Sequence, residues 1–184
     1  MSGELLIRHS APTLAGLKTG SIFSCPNGEG MSLNSEIAEY NRRFSCKGLR
    51  IIPLRRGKER TLIYVYRPKK LAAELASSKA SEILCGKGYP CGNTNCCVAK
   101  LIEKMRTDSR NFPHEIGLFL GYPPEDVRGF IEGRRDCKCV GAWKVYGDEE
   151  AAKKQFAKYK KCTDVYGRCF ADSRSMDRLV VNVN

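Results

Sequence analysis

Long apolar runs are missing from this sequence of 184 residues. Apolar runs such as Leu118-Phe119-Leu120 are far shorter than the roughly 20 residues that cross a bilayer, which excludes a membrane-spanning protein. The first residues, MSGELLIRHS, lack the basic segment and the apolar stretch of a secretory signal peptide. Internal repeats and low-complexity linkers are absent too. We therefore expect a cytoplasmic protein with one domain over residues 1–184, and no membrane partner.

Acidic residues are scarce relative to basic ones. The chain has 20 Asp and Glu against 32 Lys and Arg, a formal net charge of +12. One segment holds most of the excess, because residues 42–70 carry eleven basic side chains and one acidic side chain. Two β-rich runs in this segment, LRIIPL (49–54) and RTLIYVYRP (60–68), predict a β-hairpin.

Basic and aromatic side chains together make this hairpin a candidate polyanion site. Arginine and lysine attract phosphates, and exposed tyrosine rings stack on bases. The candidate residues are Arg55, Arg56, Lys58, Arg60, Tyr64 and Tyr66. The alternative is a solvated edge hairpin, whose charges prevent pairing with other strands. Because no recognised nucleic-acid motif is present, we expect only weak and non-specific nucleic-acid binding.

Zinc-type C-x-x-C pairs and ferredoxin spacings are also missing, although the chain has ten cysteines. The densest cluster is CGKGYPCGNTNCC, which contains the candidate metal ligands Cys85, Cys91, Cys96 and Cys97. We expect no structural disulfides in a reducing cytoplasm. Cys96 and Cys97 are expected to begin a helix, where the helix dipole lowers a thiol pKa and favours reactivity. The alternative is that most of the thiols are buried and inert.

The pattern of apolar residues predicts alternating strands and helices. The expected strands are ELLIRH, SIFSC, the basic hairpin, HEIGLFLG, KCVGAWKVY and RLVVNV. The expected helices are SLNSEIAEYNRRF, RPKKLAAELASS, a segment near 96–107, PPEDVRGFIEG and DEEAAKKQFAKYKKCTDVYGRCF. We predict an α/β fold, with α+β as the alternative. It is a single-domain sandwich with helices packed on a mixed sheet that includes the antiparallel hairpin.

The segment IRHSAPTLAGLK, residues 7–18, is a candidate anion site. If a strand ends here and Ser10 caps a following helix, the free backbone N–H groups of the first turn face a ligand. The candidate ligand-binding residues are His9, Ser10, Thr13 and Lys18. The alternative is that Ser10 only caps the helix.

The segment FPHEIGLFLGYPPEDV, residues 112–127, is a second candidate. As a strand it places His114 and Glu115 on opposite faces, so we do not expect an adjacent acid–base pair. Gly117 removes a side chain where a ligand or a helix approaches, and Tyr122 lies in the following turn. The alternative is that Gly117 serves helix packing and that Glu115 caps a helix or pairs with an arginine.

Several of these motifs resemble one known family. The PHEIGLFLGYP block at 113–123, the HSAPTLAGLK block at 9–18, YVYRP at 64–68, GAWKVYGD at 141–148 and the YKKCT region at 159–163 are similar to the family called domain of unknown function 3793. The resemblance covers almost the whole chain. It implies a cytoplasmic, single-domain protein of anaerobic Gram-positive bacteria, and it implies no known reaction or cofactor. Many members are expected to have cysteine at position 10, where this chain has Ser10, so an essential thiol at that position is in doubt.

Three functional hypotheses follow. The first is a protein or enzyme that binds a small anionic ligand in a site that both sequence blocks form together. The family resemblance adds to this hypothesis a redox or iron-linked role and a flavodoxin-like partner. The second is a thiolate metal or iron–sulfur protein that uses the Cys85 to Cys97 cluster. The third is a polyanion-binding module. The sequence leaves the cofactor and the reaction open.

Overall fold

The computed structural model describes residues 1–27, 32–90, 92–107, 112–173 and 175–183. The chain divides into two compact units. The first unit contains Met1–Lys69 and Tyr159–Asn184, and the second unit contains Lys70–Lys158. The first unit has 17 basic and 8 acidic residues, so it carries +9 of the net charge of +12. The expectation of a single domain stays a prediction.

The described residues contain eight helices and five strands. They are α1 (Gly3–Leu14), β1 (Gly20–Pro26), α2 (Leu33–Phe44), β2 (Arg50–Arg56), β3 (Arg60–Tyr66), α3 (Pro68–Leu75), α4 (Ser78–Gly86), α5 (Thr94–Thr107), α6 (Ile116–Phe119), α7 (Pro124–Ile131), β4 (Cys139–Val140), β5 (Lys144–Val145) and α8 (Glu149–Ser173). The mixed α and β class is confirmed, and these five strands pair antiparallel. None of these helices combines the length and the apolar character that are needed to cross a membrane.

The first unit contains a three-stranded sheet with the strand order β1-β3-β2. The predicted hairpin of β2 and β3 is confirmed. Because β3 is the central strand, β2 is the only strand of the hairpin that lies at an edge of the sheet. Pro53 is tolerated in β2 because an edge strand does not need every N–H group for pairing, and the register shifts between Pro53 and Arg55. Ile63 and Val65 face the core formed with α1 and α2. Because side chains alternate between the two faces of a strand, Tyr64 and Tyr66 lie on the opposite face of β3.

Helix α1 replaces the predicted first strand. Ser2, not Ser10, caps this helix, and its Oγ accepts a hydrogen bond from the Leu5 N–H at 3.2 Å. The helix continues through Pro12 and ends before Gly16, whose φ of 74° favours glycine. A serine followed closely by a proline is typical of a helix start, which led to the prediction of a strand before Ser10. That prediction was wrong, because the buried positions of this segment recur at helical spacing. Those positions are Leu6, Ile7, Ser10, Ala11 and Leu14.

The buried guanidinium of Arg67 holds the end of α1. Its Nε donates to the Thr13 carbonyl at 2.8 Å, its Nη1 donates to the Lys47 carbonyl at 2.6 Å, and its Nη2 donates to the Leu14 carbonyl. Carbonyls at a helix C-terminus lack partners within the helix and carry partial negative charge, so a cation suits this position. Burial lowers the pKa of Arg67 to about 10, which leaves the side chain charged at neutral pH.

The second unit is mostly helical. Helix α7 packs against α4, α6 and β5, and the Tyr89 ring lies 5.7 Å from the Phe119 ring, measured between centroids. The predicted helices α5 and α7 are confirmed; α5 begins at Thr94, where Asn93 Oδ1 accepts the Cys96 N–H at 3.1 Å. The long helix α8 is also confirmed, and the boundaries between the units fall within α3 and α8.

Three predicted strands differ from the structure. HEIGLFLG contains the short helix α6, because a short apolar run does not distinguish a buried strand from a buried helix turn. KCVGAWKVY is split into β4 and β5 by a turn in which the Gly141 N–H donates to the Trp143 carbonyl at 3.0 Å. RLVVNV forms no strand in the described residues up to 183, although the Val181 N–H donates to the Leu14 carbonyl at 3.0 Å.

We predict that replacing Ser10 with cysteine or alanine stabilises the protein. Ser10 is fully buried, and its Oγ has no hydrogen-bond partner within the part of the chain that the structure describes. Removing an unsatisfied hydroxyl should raise the free energy of unfolding by about 1–2 kcal/mol, more for cysteine because the sulfur keeps the packing. Urea unfolding measures the change. The exposed helical Ser35→Cys serves as the control, and a Ser10→Cys variant less stable than wild type contradicts the prediction.

Candidate ligand-binding site

The second unit contains a cavity of about 400 Å³ between the PHEIGLFLGYP block, α7 and the turn that joins β4 to β5. Most of the side chains around it are aromatic or aliphatic. They are Phe112, His114, Ile116, Gly117, Leu120, Tyr122, Asp126, Val127, Phe130, Trp143 and Lys144. A concave, mainly apolar cavity with a few polar groups is the usual form of a small-molecule site.

Stacked rings form one wall of this cavity. The rings of Tyr122 and Trp143 are stacked with centroids 4.8 Å apart and planes 29° apart. The Phe156 ring meets the Trp143 ring edge-on at 4.5 Å. On another side, the His114 ring meets the Phe130 ring edge-on at 4.8 Å. Such ring pairs are favourable beyond their buried area, so they hold the aromatic surfaces in defined orientations.

The buried carboxylate of Asp126 fixes the Trp143 turn against α7. Its Oδ2 accepts the indole Nε1–H of Trp143 at 2.7 Å. Its Oδ1 accepts the backbone N–H groups of Tyr146 at 2.7 Å and of Gly147 at 2.8 Å. Three N–H donors to one carboxylate compensate for the cost of burying its charge. Asp126 therefore positions the cavity wall and has little capacity left to bind a ligand.

Close packing around the cavity requires glycine at two positions. A Cβ at Gly117 would lie 2.7 Å from Val127 Cγ2, and a Cβ at Gly129 would lie 2.6 Å from Tyr146 Cγ. Both distances are shorter than carbon atoms tolerate, so α6, α7 and β5 approach one another only because these side chains are missing. This matches the packing alternative for Gly117, which also lines the cavity.

Glu115 forms a buried polar cluster beside the cavity. Its Oε1 accepts the Tyr89 hydroxyl at 3.1 Å and the Lys104 ammonium at 3.0 Å, and Lys104 also donates to the Lys87 carbonyl at 2.8 Å. Burial by itself would raise the pKa of Glu115, but its backbone hydrogen bond, Lys104 and Tyr89 together hold that pKa below its usual value. Burial and the Glu115 carboxylate raise the pKa of Tyr89. Glu115 therefore remains a carboxylate and Tyr89 a neutral phenol at pH 7. In the alternative in which Glu115 forms an ion pair, its partner is thus a lysine and not an arginine.

The residues of the HSAPTLAGLK block lie in the first unit, at the end of α1 rather than at a helix N-terminus. Ser10 and Thr13 are buried, and Thr13 Oγ1 lies 2.8 Å from Ser21 Oγ. His9 is exposed and stacks on Phe23 at 5.1 Å. Burial lowers the pKa of Lys18 to about 8, and its Nζ lies 5.8 Å from the centroid of the Tyr159 ring. The prediction that this block joins a strand to a helix N-terminus is therefore wrong. A site that both sequence blocks form together stays a prediction.

The cysteine cluster differs from the expectation. Cys85 is disulfide-bonded, contrary to the expected absence of disulfides, and Cys91 lies outside the described residues. Cys97 is buried, and its Sγ donates to the Pro90 carbonyl at 3.1 Å. Burial, and to a smaller extent Cys96, raises the pKa of the Cys97 thiol. The expected activation of this thiol is therefore wrong. Cys96 is exposed. Among the described side chains, no group of three or more His, Cys, Asp or Glu is arranged to hold a metal ion.

The basic hairpin presents charges without exposed rings. Tyr64 and Tyr66 are 0% and 8% exposed, and their rings stack on each other at 4.6 Å, so these rings do not offer the exposed faces that base stacking requires. Arg60 donates to the Ser24 hydroxyl and carbonyl, each at 2.8 Å, and Arg56 donates to Asn34 Oδ1. Arg55 is half-buried and Lys58 is exposed. Only an electrostatic attraction of polyanions remains supported by this geometry.

Three residues singled out from the sequence, His114, Gly117 and Tyr122, line the cavity, but several of their neighbours carry no clear sequence signal. The helical pattern marks Asp126 only as an acid of a first helical turn. The sequence pattern indicates no separate role for Trp143, which lies within the GAWKVYGD block. The sequence does contain one signal for Asp126, which is its position next to the apolar side of α7. A carboxylate buried there requires hydrogen-bond partners from other segments of the chain.

We predict that Asp126→Asn destabilises the second unit. The amide still accepts hydrogen bonds at one atom, but its NH₂ group would face the indole N–H of Trp143, which is also a donor. The loss should be about 1–3 kcal/mol in the free energy of unfolding, with a change in tryptophan emission. The neighbouring exposed Glu125→Gln is the matched control. An Asp126→Asn variant with wild-type stability and emission would contradict this role.

We predict that Glu115 makes stability depend on pH. Because its folded-state pKa is lowered, its contribution is present above the ordinary pKa of about 4.3 and is lost as the pH falls through the folded-state value. Glu115→Gln should therefore be less stable than wild type at pH 7, and the difference should shrink towards pH 3. Urea unfolding across this range measures it, with the exposed Glu103→Gln as control. A difference that is independent of pH would refute the prediction.

Comparison with known proteins identifies a family for this chain. No curated protein and no solved structure matches the chain. A family model with the description "Protein of unknown function (DUF3793)" matches residues 6–180, which is nearly the whole chain and includes both sequence blocks. The chain therefore belongs to the DUF3793 family.

Proposed function

We propose that the second unit binds a small, planar, largely apolar molecule in its aromatic cavity. The observation that carries this proposal is the cavity of about 400 Å³ whose walls include the stacked rings of Tyr122 and Trp143. This volume lies near the lower end of the range for small-molecule sites, which favours a ligand of one or two fused rings.

The polar groups of the cavity favour binding over catalysis. Asp126 is occupied by three N–H donors, whereas His114 and Lys144 are exposed. The Lys144 ammonium lies 5.4 Å from the centroid of the Phe130 ring. The described lining residues include no serine or cysteine beside a base, the arrangement used in nucleophilic catalysis. We therefore infer recognition of a ring by stacking, with polar selection at the rim.

The wider expectations from the resemblance belong to the same hypothesis. A cytoplasmic location, a redox or iron-linked role and a flavodoxin-like partner are compatible with a protein that holds a planar ring. The thiolate metal alternative loses one ligand because Cys85 is disulfide-bonded. No observation in the described part of the first unit favours a second function over ligand binding.

The single tryptophan provides the test, since Trp143 lines the cavity. We predict that neutral naphthylmethanol changes the Trp143 emission saturably, with a dissociation constant confirmed by equilibrium dialysis. Phe130→Ala should weaken binding about fivefold by removing one ring of the wall. Val140→Ala, an exposed residue outside the cavity lining, should leave binding unchanged. Absence of saturable binding to wild type, or equal binding to the Phe130→Ala variant, would refute the proposal.

A further inference from the structure

A second cavity, of about 450 Å³, adjoins the aromatic one. The two cavities share Phe112 and His114, so these side chains form the boundary between them. The second cavity is more polar. It is lined by Lys87, Lys104, Thr107, Phe112, Pro113, His114, Glu115 and Ile131. A ligand that extends from the aromatic cavity past these two side chains would therefore enter a polar one.

The polar cavity has a surplus of hydrogen-bond donors. Glu115 is 4% exposed, and its Oε1 is already occupied by Tyr89 and Lys104. Lys104 donates to Glu115 and to the Lys87 carbonyl, and its ammonium also lies 4.6 Å from the centroid of the Tyr89 ring. The donors in surplus are therefore those of the exposed Lys87 side chain. Among the described lining residues, the charges of Lys104 and Glu115 offset each other, so the exposed Lys87 leaves a net positive charge.

We propose that this second cavity binds an anionic group, a carboxylate or a phosphate, on a ligand whose ring occupies the aromatic cavity. Lys87 supplies the charge and the hydrogen-bond donors, and Lys104 lies beside it in the cavity wall. The inference rests on the proposed function and deepens it, because it assigns the ligand class: a planar ring with an anionic substituent. Charge-assisted hydrogen bonds give such a site preference over a neutral substituent.

Two alternative roles of the lysines give different outcomes in the same test. Lys87 follows the last residue of α4, where a cation also stabilises the helix through its dipole. Lys144 lies at the rim of the aromatic cavity and is a rival partner for the anion. A purely structural role for Lys87 would change stability without changing ligand preference.

The experiment compares three probes with one ring system: neutral naphthylmethanol, naphthylacetate and naphthylmethyl phosphate. Dissociation constants are measured by Trp143 emission and equilibrium dialysis on the full chain. We expect at least one of the two anions to bind wild type about three- to tenfold more tightly than the neutral probe, and the two anions distinguish a carboxylate site from a phosphate site. Lys87→Gln should abolish this preference, whereas Lys144→Gln should retain it. The surface control is Lys100→Gln, since Lys100 pairs with Glu103 at 2.9 Å outside both cavities.

A second readout keeps the two proposals separate. Mass spectrometry measures the chemical acetylation of individual lysines. The more tightly bound of the two anionic probes and inorganic phosphate should each slow the acetylation of Lys87, but not that of Lys100. Equal affinity for neutral and anionic probes, a preference that survives in Lys87→Gln, or loss of preference in Lys144→Gln would overturn the anion site while leaving ring binding intact. If no ring probe binds, the proposed function fails, and the protection of Lys87 by phosphate alone then decides whether an anion site exists.

Discussion

The aromatic cavity depends on one buried carboxylate. Asp126 projects from the first turn of α7 and accepts hydrogen bonds from the Trp143 indole and from two backbone N–H groups of the following strand region. The two-residue strands β4 and β5 are too short to be stable by themselves, so this turn needs an anchor. Without the carboxylate, the indole would lose the partner that keeps its ring stacked on Tyr122.

A buried charge satisfied by main-chain groups also organises the first unit. Arg67 follows β3 directly and donates to three carbonyls, two of them at the end of α1. The sign matches each location, since a cation suits the carbonyls of a helix C-terminus and a carboxylate suits free N–H groups. In both units, one side chain links two segments that are distant in sequence, and its removal would leave several polar groups unsatisfied at once.

The chemistry of the candidate site follows from the neighbourhood of these anchors. In the proposed function, the rings around Trp143 favour a flat apolar ligand. The Glu115 carboxylate beside them accepts from Tyr89 and Lys104, so this cluster supports the wall. Lys87 then remains as the free cationic group within the described part of the polar cavity. A binding role with selectivity for an anionic substituent accounts for these features together.

The sequence by itself determined the helices with strong caps and periodicity, the β2–β3 hairpin, the basic character of the first unit and the segment that contains His114, Gly117 and Tyr122. Each of these depends on local spacing or on charge, which the chain displays directly. Only the tertiary structure decided that ELLIRH and HEIGLFLG are helical, that Ser10 is buried, and that Asp126 meets Trp143. Short apolar runs satisfy both a strand and a helix, so packing chooses between them. The partners of a buried charge come from distant positions, and no local pattern specifies which N–H groups will surround it.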